Sequence, residues 1–179
     1  MILLRDIACF LIALLGMEAV AWASHRWLMH GPLWFLHRSH HEPRRGAFEF
    51  NDLFAVFFAL PAIAMFWIGA RNGWSWMVWA AAGVTAYGAL YALVHDGLVH
   101  QRWRFRIAPR HGYLRGLVQA HRLHHAVRER RGAVSFGFLA PQDVRRLAQQ
   151  LKQGRLHRSD PRPQVRAGGD RPQTFDPAP

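Results

Sequence analysis

The sequence contains very little cysteine, lysine or acid. Its 179 residues include one cysteine, Cys9, and one lysine, Lys152, while 11 Asp and Glu stand against 23 Lys and Arg, which gives a formal net charge of +12. A single cysteine excludes an intrachain disulfide and any metal site built from several cysteines. Charge is also missing regionally, because residues 53–70 and 73–94 contain no charged side chain. These absences argue against an ordinary soluble domain, a disulfide scaffold and a simple nucleic-acid binder.

Three segments are long and apolar enough to cross a bilayer, which requires about 20 mostly apolar residues. They are residues 7–24, 53–70 and 74–95. A short turn makes the last two a hairpin, and tryptophans near the ends of the segments suit the membrane interface. Two shorter segments, 112–128 and 142–153, are predicted to form a surface helix and an amphipathic helix. The fold class predicted is therefore an all-α integral-membrane bundle of three to four spans, with a histidine-rich helical cap on the cytoplasmic side.

Charge also divides the chain and orients it. Residues 1–153 are predicted to form the membrane domain, and the Pro- and Arg-rich residues 154–179 are predicted to form a disordered basic tail. With three spans, Arg5 and Arg71 are the basic residues on one side of the membrane, and all the other Lys and Arg lie on the opposite side. The positive-inside rule makes that second side cytoplasmic.

Histidine is unusually abundant, with 12 residues, and most of it is ordered in motifs. An HxxxxH pair and an HxxHH motif precede the apolar hairpin, and the same two motifs follow it. The ten motif histidines are His25, His30, His37, His40, His41, His95, His100, His121, His124 and His125. On the three-span arrangement all ten lie on the cytoplasmic face, which the hydropathy of the spans does not require. His111 and His157 fall outside the motifs, and we expect ordinary surface roles for them.

The spacing of the histidines predicts how they converge. Positions i, i+3 and i+4 share one face of a helix, so the three imidazoles of an HxxHH motif are expected to meet at one point. Positions i and i+5 lie about 140° apart on an α-helix and converge only if the helix loosens, for example into a π-bulge. Gly97 inside the second pair, and Gly31 and Pro32 after the first, favour such loosening.

Ten imidazoles predict more than one metal ion. Imidazole suits zinc, copper, iron and nickel, and one ion takes four to five such donors, so the set implies at least two metals with four or five histidines each. Ligating histidines commonly donate their second N–H to a carboxylate or carbonyl, which makes Asp96, Asp52 and Glu42 candidate partners of the ligands. We predict no separate catalytic acid or base, because the metals would carry the chemistry.

The motifs and the residues around them resemble the integral-membrane, histidine-rich di-iron hydroxylases and desaturases. Four sequence segments narrow the resemblance to bacterial β-carotene hydroxylases over residues 17–141: HEPRRG, NDL, VHDGLVHQRW and SFGFLAP. The resemblance implies a non-haem centre of two irons with the ten histidines as ligands. It also implies O2 as oxidant, reduced ferredoxin as electron donor, and a location in the bacterial inner membrane.

The resemblance implies hydroxylation at C3 of each β-ionone ring, which converts β-carotene through β-cryptoxanthin to zeaxanthin. A hydrocarbon of this size dissolves in the bilayer, so an oxidant at the membrane boundary could receive the ring from lipid and electrons from water. Five aromatic residues are candidates to line the ring pocket: Trp103, Phe105, Tyr113, Phe136 and Phe138.

Two alternatives remain open from the sequence. One keeps the chemistry and changes the substrate, as in a carotenoid ketolase or a sterol or fatty-acyl hydroxylase. The other is a membrane metal-binding or transport protein. The basic face favours anionic lipid and an acidic ferredoxin, and no nucleic-acid partner is expected because no nucleic-acid-binding motif occurs.

Overall fold

The structure, a computed structural model, describes residues 1–43, 46–104, 107–140 and 142–159. Every regular element in this part of the chain is helical, which confirms the predicted fold class. The α-helices are α1 (Ile2–Ala23), α2 (Trp34–His41), α3 (Leu53–Asn72), α4 (Ser75–Tyr91), α5 (Gly112–His125) and α6 (Val144–Ser159). Two π-helical segments, Ser24–Met29 and Ala92–Val99, continue α1 and α4, and a 3-10 turn, Phe50–Asp52, leads into α3.

Three continuous helical stretches are long and apolar enough to span a membrane. They are Ile2–Met29, Phe50–Asn72 and Ser75–Val99. Their apolar side chains point outward rather than into a core, as Leu4 (74% exposed) and Leu15 (72% exposed) illustrate. Such exposure suits a lipid environment and would be a liability in water. Each of the three predicted spans coincides with one of these helical stretches, and the described residues contain no fourth that is long and apolar enough.

Helix α4 is the centre of the bundle because it packs against both α1 and α3. The approach to α1 is close at Gly83, where an added Cβ would lie 2.4 Å from the carbonyl oxygen of Phe10. The α3–α4 hairpin turns at Gly73, whose φ of 67° lies in the left-handed region that glycine adopts without strain. This antiparallel path puts the end of α1, the start of α3 and the end of α4 on the same side of the bundle.

The remaining helices gather around that side. Helix α5 contacts both α6 and the π-helical end of the third span. Helix α6 buries Leu151, which packs in a cluster with Val127, Ala133 and Phe136 of the segment after α5. The helix continues to Ser159, past Gly154 where the sequence predicted its end, since a glycine inside a helix costs only about 1 kcal/mol. Most of the predicted tail, residues 160–179, lies outside the described residues.

Candidate metal centre

Both HxxxxH pairs lie on π-helical turns, as the spacing predicted. The backbone N–H of His30 donates to the carbonyl of His25 (3.0 Å), and that of His100 donates to the carbonyl of His95 (2.9 Å). These i→i+5 hydrogen bonds define a π-turn, and they bring residues five apart onto one face. The ring centroids are therefore only 5.2 Å apart in the first pair and 4.5 Å apart in the second.

The HxxHH motifs are helical as predicted, on α2 and α5, but their three imidazoles do not meet at one point. In α2, His37 and His41 join one cluster and His40 joins another. Successive residues turn by about 100° in an α-helix, so positions i+3 and i+4 fall on opposite sides of position i. A shared face is wide enough to serve two centres, and the expectation of a single point was wrong for this reason.

Nine of the histidines form two groups in which the nearest ring nitrogens all lie within 4.8 Å of one another. The first group consists of His25, His30, His37, His41 and His124, and the second of His40, His95, His100 and His121. His125 adjoins the second group, because its Nε2 lies 2.9 Å from that of His121. Each half of the chain thus supplies four histidines to one group and sends its i+3 histidine, His40 or His124, across to the other.

Within each group the Nε2 atoms face one another at 2.9–3.3 Å. In the first group the short separations are His25 to His37 (3.1 Å), His30 to His124 (3.2 Å), His37 to His41 (3.3 Å) and His41 to His124 (3.2 Å). In the second they are His40 to His95 (2.9 Å) and His100 to His121 (3.2 Å). Two metal–imidazole bonds of about 2.0–2.1 Å at 90–109° to each other end on nitrogens about 2.9–3.4 Å apart. The observed separations therefore match the edges of a coordination shell.

The second ring nitrogens point outward and are held by acceptors. Four histidines of the first group donate from Nδ1 to backbone carbonyls of residues 127–136. The pairs are His25 with Phe136 (3.1 Å), His30 with Arg130 (2.9 Å), His41 with Val127 (2.8 Å) and His124 with Val134 (3.0 Å). The fifth, His37, donates to the amide oxygen of Asn51 at 2.6 Å. A single segment after α5 thus orients most of the first group.

Carboxylates take this role in the second group. His95 donates from Nδ1 to Asp96 at 2.8 Å, and His40 donates to Glu49 at 3.0 Å. Asp96 was predicted as such a partner, whereas Glu49 and Asn51 were missed. Glu49 is nine residues from His40 in the sequence, and it caps the 3-10 turn Phe50–Asp52. The chain between them must fold back for Glu49 to reach His40. Histidine–carboxylate pairs of this kind fix the ring and raise its donor strength.

The donor set fits metal ions. Because carbonyl and carboxylate oxygens only accept hydrogen bonds, the histidines bound to them carry their proton on Nδ1 and leave a bare lone pair on Nε2. Bare lone pairs then face each other at about 3 Å, for example between His30 and His124. Such an arrangement is favourable with a metal ion between the nitrogens, and the outward Nδ1–H bonds are those that ligating histidines commonly make.

The protonation of the histidines supports the same conclusion. Burial lowers the pKa of His37 to about 3 and that of His41 to about 4. It also holds the pKa of His124 well below the usual value for histidine. Imidazoles with such pKa values are neutral at pH 7 and keep the lone pair that a metal ion needs.

The other two predicted acidic partners differ from each other. Asp52 contacts Glu49, the partner of His40: its carboxylate accepts one hydrogen bond from the backbone N–H of Glu49 (3.0 Å). The same carboxylate accepts two hydrogen bonds from Arg102, both at 2.7 Å. Glu42 instead pairs with Arg38 at 2.7 Å, and no hydrogen bond joins it to a histidine within the described residues. The carboxylate of Glu42 is thus engaged by Arg38, one helical turn earlier on α2.

Two of the five aromatic residues predicted to line a pocket lie against the histidines, one beside each group. The ring of Phe136 lies 5.2 Å from that of His30, and the ring of Phe138 lies 5.4 Å from that of His95. Trp103 packs over Gly97, and the exposed Tyr113 donates from its hydroxyl to the carbonyl of Leu139. Phe105 lies outside the described residues. Phe136 and Phe138 are therefore apolar walls of the centre, one for each group.

A cavity of about 350 Å³ opens beside both groups on the polar side of the bundle. Its charged lining balances Arg122 and Arg128 with Glu42 and Glu49, and four histidines of the centre also line it: His40, His41, His100 and His125. The cavity therefore opens the histidines of the centre to the surface of the protein.

The bundle combines three helices able to span a membrane with two groups of histidines that could each hold a metal ion. The sequence model of the fatty acid hydroxylase family matches residues 10–142, and the chain belongs to this family. The family and its relatives' names indicate an oxidoreductase, in agreement with the enzyme class predicted from the sequence. No solved structure matches the chain.

Curated relatives narrow the family assignment. The chain is 48% identical to the β-carotene hydroxylase of Pantoea ananas over 161 residues, which cover 90% of this chain and 91% of that one. It is 53% identical to the β-carotene hydroxylase of Paracoccus sp. (strain PC1) over 151 residues, covering 83% and 93% respectively. A chloroplastic β-carotene 3-hydroxylase of Arabidopsis thaliana is 43% identical over 136 residues, covering 74% and 44%.

Proposed function

We propose that this protein is a β-carotene 3-hydroxylase that converts β-carotene through β-cryptoxanthin to zeaxanthin. The observation that carries the proposal is the pairing of two histidine groups at the ends of apolar spans, in a chain about half identical to bacterial β-carotene hydroxylases over most of its length. The position of the groups also argues against a transporter, whose binding site is expected near mid-bilayer.

The ten motif histidines are proposed to hold two irons. Iron suits imidazole donors, and the division into five and four histidines, with His125 beside the four, accommodates one ion in each group. When bound, the metals supply the activation of O2 that a C–H bond of this kind requires. One oxygen atom enters the C–H bond and the other leaves as water, which consumes two electrons and two protons.

The protein's own residues orient the ligands and shape the surroundings. Nδ1 acceptors fix each ring, and Phe136 and Phe138 present apolar surface to the centre, which suits a hydrocarbon ring arriving from lipid. The cavity lining carries Glu42 and Glu49 beside Arg122 and Arg128, so the case for an acidic electron donor of the ferredoxin type rests on the net charge of +12 of the chain. The positive-inside rule supports a cytoplasmic position for this face in a bacterial inner membrane.

The hydroxylase domain, predicted from the sequence as residues 1–153, is proposed to extend to Ser159, where α6 ends. Helix α6 belongs to it through Leu147 and Leu151, which are buried. The chain beyond α6 is proposed to be dispensable for turnover.

Expression in a β-carotene-accumulating bacterium, followed by chromatography of the pigments, tests the function. We expect β-cryptoxanthin and zeaxanthin to form with the native chain and with His111→Ala, which alters a histidine outside the motifs. His124→Ala should abolish both products while membrane insertion is retained. Ketolated pigments would identify a ketolase instead, and a lack of any oxidised carotenoid would contradict the proposal.

A further inference from the structure

Glu18 is an acid in the middle of an otherwise apolar span. It is neither a proposed metal ligand nor a hydrogen-bond acceptor of one. An acid in a membrane helix is costly unless it is partnered. Its Oε1 accepts hydrogen bonds from the backbone N–H groups of Phe138 (2.7 Å), Leu139 (2.9 Å) and Ala140 (2.9 Å). Its Oε2 accepts a further bond from the Tyr87 hydroxyl at 2.7 Å. Glu18 therefore ties α1 to α4 and to the segment after α5 by a set of charge-assisted bonds.

The tied segment is the one that orients the first histidine group. The carbonyls of Val134 and Phe136 accept the Nδ1–H of His124 and His25. Between these two carbonyls lies Ser135, whose φ of 62° is in the left-handed region. This backbone conformation is unfavourable for a residue other than glycine and persists only where the surroundings impose it. The three N–H groups bound by Glu18 begin three residues further on.

Gly137 allows the segment to approach the carboxylate. A Cβ added at this position would lie 3.2 Å from Oε1 of Glu18 and 3.2 Å from the side-chain nitrogen of Gln142. A larger residue would therefore push the segment away from the carboxylate. Glycine at this position therefore keeps the segment within hydrogen-bond reach of the carboxylate.

The second histidine group obtains its acceptors elsewhere. Asp96 lies on the third span, and Glu49 precedes the turn into α3. Neither acceptor lies on the segment that Glu18 holds. That segment meets the second group only through the ring of Phe138, which packs 5.4 Å from His95 and accepts no hydrogen bond from it. A loss of Glu18 should therefore affect the two groups unequally.

We infer that Glu18 is a positioning residue for the first metal, acting through the backbone carbonyls of Val134 and Phe136. This inference rests on the proposed two-metal function. Removal of hydrogen-bonding partners of metal ligands typically weakens metal binding about 10- to 100-fold. Glu18→Ala is expected to weaken one of two metal sites by that factor and to leave the other unchanged.

Titration of the purified, metal-free full-length protein in detergent with Co²⁺ tests the inference, because the visible absorption of Co²⁺ reports both its amount and its ligand geometry. The native chain should bind two equivalents. Two reference variants identify the sites: His41→Ala removes a ligand of the first group, and His95→Ala removes one of the second. In Glu18→Ala, the tightly bound Co²⁺ should have the spectrum of the site that His41→Ala retains.

Asp6→Ala is the matched control, since Asp6 is the other acid of α1 and pairs with Arg5 away from the centre. It should bind two equivalents with native affinities. Glu18→Gln keeps an oxygen for the three N–H groups and should restore most of the binding that Glu18→Ala loses. If Glu18→Ala does not accumulate as folded protein, Gly137→Ala provides the test, with the same site selectively weakened.

The outcomes separate this inference from the function on which it rests. If the native chain binds no metal, the proposed function fails and the inference falls with it. If the native chain binds two equivalents and the variant weakens both sites equally, or neither, the inference alone is overturned.

Discussion

The two histidine groups have similar ligands but different support. In the first group four of the five rings donate to backbone carbonyls and the fifth donates to an amide, so all five acceptors are neutral. In the second group His40 and His95 donate to carboxylates. An imidazole bonded to a carboxylate is a stronger donor to its metal. The two proposed irons should therefore be inequivalent, and the iron in the second group should be the more stable of the two in its oxidised state.

The largest effect should come from removing one ligand in each group. His41→Ala and His95→Ala should each abolish hydroxylation and retain about one iron per chain, because each leaves the other group intact. Iron analysis of the purified variants, together with pigment chromatography, measures both effects. Loss of both irons from either variant would show that the groups do not bind independently.

Asp96→Asn should remove the charged acceptor of His95 and so reduce the difference between the two groups. The amide retains the size of the side chain but removes the negative charge beside His95. We expect iron in the second group to bind about 10- to 100-fold more weakly while the first group is unchanged. Competition with a chelator measures the two affinities, and equal affinities in the native and variant proteins would contradict a role for the carboxylate.

Asn51→Asp is the reverse experiment and should have a smaller effect. It places a carboxylate next to Nδ1 of His37, so the first group would acquire the kind of support found in the second. The reduction potential of the first iron should fall toward that of the second, since the added negative charge favours the oxidised ion. A spectroscopic redox titration tests this, with Asn72→Asp, at the exposed end of α3, as the control.

Truncation after Ser159 should have the smallest effect. It leaves α6 complete, including Leu151, which packs against Phe136 beside the first group. Activity and iron content should match those of the native chain. Truncation after Asp143 is the contrasting variant: it removes α6, and we expect it to weaken the first group more than the second.

Several features could be predicted because they depend on local pattern. The three spans follow from the length of the apolar runs, and the π-turns follow from the i, i+5 spacing combined with the need for two rings to converge. Asp96 was identifiable because it is adjacent to His95. Glu42, equally adjacent to His41, pairs with Arg38 instead, a choice that adjacency in the sequence does not reveal.

Other features could not be read from the pattern. Backbone carbonyls are common to every residue, so the acceptors at Val127, Arg130, Val134 and Phe136 have no signature in the sequence. The left-handed Ser135 likewise has none. Glu49 bonds to His40 across a turn, and Arg102 bonds to Asp52, which is 50 residues away in the sequence. Only folding brings these partners together.

The sequence by itself determined the class of the protein: a helix bundle with three helices able to span a membrane and ten histidines in ordered motifs, a number that suits two metal ions. The reason is that hydropathy and helical periodicity are local properties of the chain. The tertiary structure alone decided which histidine joins which group and what supports each ring. These assignments depend on how α2 and α5 face each other across the bundle and on where the segment after α5 presents its carbonyls, and neither is encoded in the spacing of the residues.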